Sequence, residues 1–327
     1  MGFALSGYFR TRGVRIMNVK EALALTRRSF SAWSSDFAPS MGAALSYYTL
    51  FSIAPMLIIV IAVAGLAFGD EAVRTVIFDQ LQALMGEQGA AAVQDMLATS
   101  SDATTGGIAA VVSVVGLLIG ATTVFSEMQN DLDRIWRAPA LAQDTGVWSL
   151  IRTRLLSFGM ILGVAFLLAV SLVASAALAM IGKWWDAWLG GWEAAAYALD
   201  VALNLGLLTL IFALIYKMIP RVNVSWHDVW IGAAVTAVLF TIGKVLIGLY
   251  LGKSDVTSSF GTAASLVVVM VWVYYASQIF LFGAELTRVY AETHGSRRSD
   301  AKERRGTTSR TGRRRSDGGT LPQPEPV

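Results

Sequence analysis

The chain has 327 residues, of which 55% are hydrophobic and only 15% are charged. Soluble domains carry about 25% charged residues, so much of this protein's surface must face something other than water. There is no cysteine, which excludes disulfides, thiolate metal sites and cysteine nucleophiles. The small positive net charge comes from arginines near the C-terminus, and such a local cluster indicates an anionic membrane surface or plain solvation rather than a nucleic acid as partner.

Residues 1–40 precede the first long apolar run. They contain arginines but no apolar stretch of the length that a signal peptide needs, so we expect no cleavable signal. Apolar residues recur there at helical spacing, which predicts an amphipathic helix lying in the membrane interface. The residues of this stripe are Val19, Ala22, Leu23, Thr26, Phe30 and Trp33.

Six apolar runs are each long enough to cross a bilayer, which takes about 20 apolar residues. They predict an all-α, polytopic membrane domain over residues 41–290. The predicted spans are Met41 to Phe68, Gly107 to Phe125, Leu155 to Ile181, Tyr197 to Ile219, Val229 to Leu251 and Thr262 to Leu286.

The connecting segments alternate between arginine-rich and arginine-poor. Those before span one and after spans two, four and six are rich in Lys and Arg, whereas the other three contain only Arg74, Lys183 and Lys253. By the positive-inside rule both termini are expected in the cytoplasm. Most Trp residues, Trp136 among them, lie at predicted span edges, which is typical of an aromatic belt.

Three connecting or terminal segments have predicted structure of their own. An external insertion at about 70–106 is expected to hold two helices, one from Glu71 and one from Gln88 to Ala98. An apolar stripe from Phe125 to Trp136 predicts a second interfacial helix. Residues 291–327 are rich in Arg, Ser, Gly and Pro, which predicts a disordered basic cytoplasmic tail.

Several motifs in these segments resemble the YihY/BrkB family of bacterial inner-membrane proteins, over about residues 23–295. The resemblance implies a six-helix fold in the inner membrane, a link to serum resistance and virulence in some members, and no established activity. The motifs are AALSYYTLFSIAP at 43–55, GATTVFSEMQNDLDRIW at 120–136, RLLSFGMILG at 154–163, HDVWIGAAVTAVLFTIGKVLIGLYLG at 227–252 and WVYYASQIFLFGAELTRVYAE at 272–292.

Members of that family often carry the label ribonuclease BN, which the residues do not support. A metal-dependent nuclease needs converging His and carboxylate ligands, and the chain has only His227 and His294, with no ligand spacing between them. We therefore expect no enzyme activity, no cofactor, no metal and no nucleic-acid partner. His227 beside Asp228 keeps a nuclease as the weakest alternative.

Polar residues within the apolar runs are the candidate functional residues. Lys244 is predicted about 10 Å below the outer surface, at a depth similar to that of Asn204, with Asp200 one turn further out. Intramembrane ionisable residues commonly face a cavity, so these three predict a polar outer cavity. Alternatively, Lys244 extends along its stem to the surface and makes only a structural contact.

A second polar set lies on the inner half. Gln278 and Glu285 are seven residues apart and so share a helix face, and Glu127 is predicted at the depth of Glu285. These residues predict an inward-opening crevice, with Arg288 or Arg134 as countercharge; the alternative is interface solvation with helix-end ion pairs. Pro55 predicts a kink in span one, as a gate or as a mere adjustment of shape.

Three functions fit these patterns. The leading one is transport or handling of an amphipathic or lipid-like solute in a crevice between spans four, five and six. The second is an envelope assembly factor that docks a partner protein through residues 71–98, and the third is the nuclease. Membrane lipids are expected partners, and small-residue pairs such as Gly116 with Gly120 leave oligomerisation open.

Overall fold

The computed structural model describes residues 18–102, 123–138, 192–253 and 263–297. These residues form helices and short connections without any strand, so the predicted all-α class is confirmed. In chain order the helices are α1 (Val19–Ser35), α2 (Ala38–Phe68), α3 (Asp70–Asp102), α4 (123–135), α5 (Trp192–Met218), α6 (Trp226–Lys253) and α7 (Ala264–Thr293).

Four of the helices are long and apolar enough to cross a membrane. These stretches are Ala38–Ile58, Ala198–Met218, Trp226–Tyr250 and Ala264–Thr293. They coincide with predicted spans one, four, five and six. Predicted span three, nearly all of span two and most of the basic tail lie outside the described residues.

Helix α3 coincides with the predicted external insertion and is interrupted at Gly86. That glycine has φ 78 and ψ 172, a conformation that is readily open only to glycine, and it divides the helix into residues 70–85 and 87–102. The insertion does not stand away from the membrane helices. It buries Val73, Met85, Val93 and Leu97 in one apolar cluster with Leu57 and Ile61 of α2, Ile247 of α6 and Val268 of α7.

Helix α1 packs on the end of α7 through Leu25, which contacts the cluster containing Leu286 and Val289. Its N-terminus carries a capping box in which Asn18 and Glu21 satisfy each other's backbone donors. Part of the predicted apolar stripe faces outward, since Val19, Leu23 and Phe30 are 85%, 72% and 59% exposed, whereas Trp33 packs against the protein core. A stripe of this kind is available for lipid contact.

The second apolar core lies at the end of the bundle where α2 and α6 begin and where α4, α5 and α7 end. We call this the charged end, because buried ionisable residues surround it. Helix α4 lies against the helix ends there and buries Leu132, Ile135 and Trp136. The prediction that Trp136 belongs to the aromatic belt is wrong: its ring is only 1% exposed, because α4 turns it into the protein core.

A buried hydroxyl joins three helices beside this core. Tyr216 on α5 donates a hydrogen bond to the Phe280 carbonyl on α7 at 2.7 Å and lies 3.2 Å from Thr236 Oγ1 on α6. Gly283 permits the approach, since a β-carbon at that position would overlap Thr236 and the Tyr216 hydroxyl. The relative positions of α5, α6 and α7 are therefore fixed close to the last turns of α7.

Candidate functional site

The last turns of α7 carry a buried ion-pair network. Glu285 is fully buried, and its Oε2 accepts hydrogen bonds from Arg288 Nη2 at 2.8 Å and Nε at 3.1 Å. Arg288 Nη1 also donates to Glu292 at 3.1 Å. The three residues follow the i, i+3 and i, i+4 spacings of one helix face, so the pattern of the sequence itself brings them together.

A second ion pair reaches this point from distant parts of the chain. Asp36 lies at the junction of α1 and α2 and is 4% exposed. Its Oδ1 accepts a hydrogen bond from Arg137 Nη2 at 2.7 Å, just beyond the end of α4. Within the described segments, the non-glycine residues of positive φ are Phe37 (φ 61), which follows Asp36, and Arg137 itself (φ 52). A left-handed conformation costs about 1–2 kcal/mol per non-glycine residue, so the surrounding contacts must stabilise the backbone at both residues.

The two ion pairs meet at their carboxyl groups. Asp36 lies within hydrogen-bonding reach of Glu285, and its charge acts on both Glu285 and Arg288. Asp36 Oδ2 and Glu285 Oε1 are buried and have no donor among the described residues. We call Asp36, Arg137, Glu285, Arg288 and Glu292 the carboxylate cluster.

Gln278 lies two helical turns before Glu285 on the same face of α7. Its amide nitrogen and amide oxygen are both buried, and neither has a hydrogen-bond partner in the part of the chain that is described. The amide points at Gly42 in the second turn of α2, where a β-carbon would overlap it. The seam between α2 and α7 therefore contains a complete amide whose donors and acceptor are unused.

The remaining inner candidate, Glu127, belongs to α4 and not to this seam. The negative charge of Glu127 acts on Asp131, whose side chain is buried. Burial, reinforced by Glu127 and opposed by Arg134, raises the pKa of Asp131 from 3.8 to about 7. Asp133 points elsewhere and accepts the Arg221 backbone N–H at 2.7 Å, which ties α4 to the connection between α5 and α6.

The outer candidates have different neighbours from one another. Lys244 Nζ donates to the Ala83 carbonyl at 3.1 Å, near the end of the first part of α3. Asn204 donates to the Asp200 carboxylate at 3.1 Å and to the Asp200 carbonyl at 3.0 Å, within α5. The shared outer cavity stays a prediction. Helix α2 continues through Pro55, and the predicted kink likewise stays a prediction.

The histidines have separate surroundings. His294 stacks on Tyr290 with ring centroids 5.7 Å apart and its Nδ1 lies 2.8 Å from Thr293 Oγ1, whereas His227 is exposed near the start of α6. No group of three or more His, Cys, Asp or Glu residues suited to a metal ion occurs in residues 18–102, 123–138, 192–253 and 263–297.

The apolar spanning helices define the class of this protein as an all-α, polytopic membrane protein. The model of the family described as "Virulence factor BrkB" matches residues 29–308. The chain therefore belongs to the BrkB family, as the sequence motifs predicted.

Its relatives have names that state only their location in a membrane. A UPF0761 membrane protein of Ralstonia nicotianae is 28% identical over 85% of this chain and 61% of its own length. One of Pseudomonas aeruginosa is 30% identical over 77% of the chain and 59% of its own length. One of Aeromonas salmonicida is 27% identical over 76% of the chain and 82% of its own length. The chain thus spans about three fifths of the first two relatives. No solved structure matches it.

Proposed function

We propose that this protein transports or handles an amphipathic, lipid-like solute in the inner membrane, with the charged end in the cytoplasm. The observation that carries the proposal is the buried amide of Gln278, which has no hydrogen-bond partner among the described residues. A buried polar group without a partner costs about 1–3 kcal/mol, and polar groups within spans commonly mark a solute path. An amide that offers two donors and one acceptor suits the polar part of such a solute.

We take the seam between α2 and α7 as the route from this amide to lipid. Tyr47 and Phe51, further along α2, are 55% and 63% exposed, and their rings pack edge to face 4.9 Å apart. They lie on the face of α2 opposite Gly42, so an apolar chain on this aromatic surface reaches Gln278 only when the seam opens. The route thus lies between spans one and six, whereas the sequence alone suggested spans four, five and six.

The distribution of charge supports the proposed orientation. The charged end and helix α1 carry Lys20, Arg27, Arg28, Arg134, Arg137 and Arg221. The α3 insertion, at the other end of the spans, carries one basic residue, Arg74, against five acidic ones up to Asp95. Lys and Arg mark the cytoplasmic side of inner-membrane proteins, so this distribution supports an external position for α3.

The test uses the full chain in lipid vesicles that contain a fluorescent short-chain anionic phospholipid. We expect the protein to speed the exchange of this probe between leaflets, and Gln278→Leu to reduce that rate at least tenfold. Thr241→Val is the matched control, because the Thr241 hydroxyl already bonds the Ala237 carbonyl within α6. Equal rates for the wild type and Gln278→Leu, or no acceleration over protein-free vesicles, would refute the proposal.

An assembly role remains the alternative, and the packing of α3 determines how it is tested. Deleting residues 71–98 would expose the apolar side chains of α2, α6 and α7 that α3 covers, and this could unfold the protein. Loss of a partner protein from such a variant would therefore not show that the partner docks on α3. Asp79 and Glu87 are exposed on α3 and suit the test better. If their replacement by Lys released a co-purifying envelope protein while solute exchange stayed normal, the assembly role would be favoured.

A further inference from the structure

We propose that Asp36 and Glu285 hold one proton between them, which makes the carboxylate cluster a proton-binding site at the charged end. The inference rests on the proposed function only where it links this proton to solute movement. The site itself depends only on the contacts of the five side chains of the carboxylate cluster.

The hydrogen bonds of the two carboxyl groups leave one oxygen of each for a shared proton. Each carboxyl group has one oxygen bound by an arginine: Asp36 Oδ1 by Arg137 and Glu285 Oε2 by Arg288. The other oxygen of each is buried and has no donor within the described segments. Two carboxyl groups within hydrogen-bonding reach can bond only if one of them carries a proton. A single proton would therefore give both orphan oxygens a partner.

One proton would also balance the charge of the cluster. The described groups that face one another are Asp36 from the α1–α2 junction, Arg137 from the end of α4, and Glu285, Arg288 and Glu292 from α7. Among these described residues, three carboxylates and two guanidinium groups leave one negative charge, and one bound proton cancels it. Since an uncompensated charge is unfavourable at the buried Asp36 and Glu285, the neutral cluster is the stable one.

The position of the cluster gives the proton a mechanical consequence. Asp36 immediately precedes α2 and Glu285 belongs to α7, so the shared proton closes the same α2–α7 seam that holds Gln278 against Gly42. Loss of the proton to the cytoplasm leaves two anions facing each other, and their repulsion separates the start of α2 from α7. Proton release and opening of the seam are thus the same event.

The experiment is infrared difference spectroscopy of the full chain in lipid nanodiscs, titrated from acid to alkaline pH. We expect a protonated-carboxyl carbonyl band that disappears as the pH rises, and that is lost in both Glu285→Gln and Asp36→Asn. Two variants on different elements keep the test decisive if one fails to fold. Every sample carries Asp131→Asn as its background, because Asp131, whose pKa is raised to about 7, would otherwise give a protonated-carboxyl band of its own over the same pH range.

Other outcomes would overturn the site. If the band survives in both Glu285→Gln and Asp36→Asn, or if sodium and not acid stabilises the wild type, the cluster does not bind a proton. Solute exchange in vesicles separates the two proposals. A band lost in Glu285→Gln with unchanged exchange keeps the proton site and refutes its coupling. A normal band with no exchange by the wild type refutes only the solute function.

Discussion

Arg137 and Asp36 form a 2.7 Å ion pair across 101 positions of the chain, and left-handed backbone occurs at Arg137 itself and at Phe37, which follows Asp36. The pair ties the end of α4 to the junction of α1 and α2. Because Asp36 is buried while Arg137 is only half-buried, the arginine compensates a charge that water cannot reach. The pair thus positions the Asp36 carboxyl against Glu285.

Arg137→Gln should destabilise the protein by about 1–3 kcal/mol, the range for leaving a buried polar group without its partner. The effect should shrink when Asp36→Asn is combined with it, since a neutral amide no longer needs the guanidinium. The free energy of unfolding of the single and the double variant is measured in detergent by adding denaturant. Arg134→Gln, in the last turn of α4, is the control. Arg134 stacks over Phe37 at 5.6 Å and acts on Asp131 through its charge, but it makes no ion pair with Asp36, so its loss should change stability by less than about 1 kcal/mol, and an equal loss for both variants would contradict the role of the ion pair.

Gly283→Ala should destabilise the protein by about 1–3 kcal/mol through overpacking, because the new methyl group overlaps Thr236 and the Tyr216 hydroxyl. Gly206→Ala on α5 is the matched control. No atom of the described residues lies within 4 Å of its added methyl group, so the better helix propensity of alanine should be neutral or stabilising by up to about 1 kcal/mol. Thermal unfolding in detergent compares the two. If Gly283→Ala proves as stable as the wild type, α5, α6 and α7 do not pack as closely as described.

The parts of this structure that follow from local sequence were predictable. An apolar run of spanning length is a local property, and it identified α2, α5, α6 and α7. Gln278 and Glu285 were found because each interrupts such a run. Asp36 and Arg137 were missed because they lie outside the runs and meet only through tertiary contact. The burial of Trp136 depends on how α4 docks, which helical periodicity does not specify.

Asp131 should make stability depend on pH. Its pKa is 3.8 in an unstructured chain and about 7 in the folded protein, so the folded state binds more protons between these values. The contribution of Asp131 is therefore complete at low pH and falls as the pH rises from about 4 to 7. Asp131→Asn should remove this slope and stabilise the protein at pH 8. Unfolding free energies from pH 4 to 8 test this, and an unchanged slope in the variant would show that Asp131 titrates normally.

Lys244→Met should loosen the α3 insertion. The Ala83 carbonyl lies in the last turn before Gly86, where helical carbonyls lack intrahelical partners, and the Lys244 ammonium both bonds it and complements the negative end of the helix dipole. Hydrogen exchange of the full chain in lipid should therefore rise in residues 70–85. Lys217→Met is the matched control, because Lys217 bonds the Val224 carbonyl at the charged end, and its loss should leave exchange in α3 unchanged. If Lys244→Met leaves α3 protected but abolishes solute exchange, the lysine acts in a polar cavity, as first predicted with Asp200 and Asn204, and not as a helix cap.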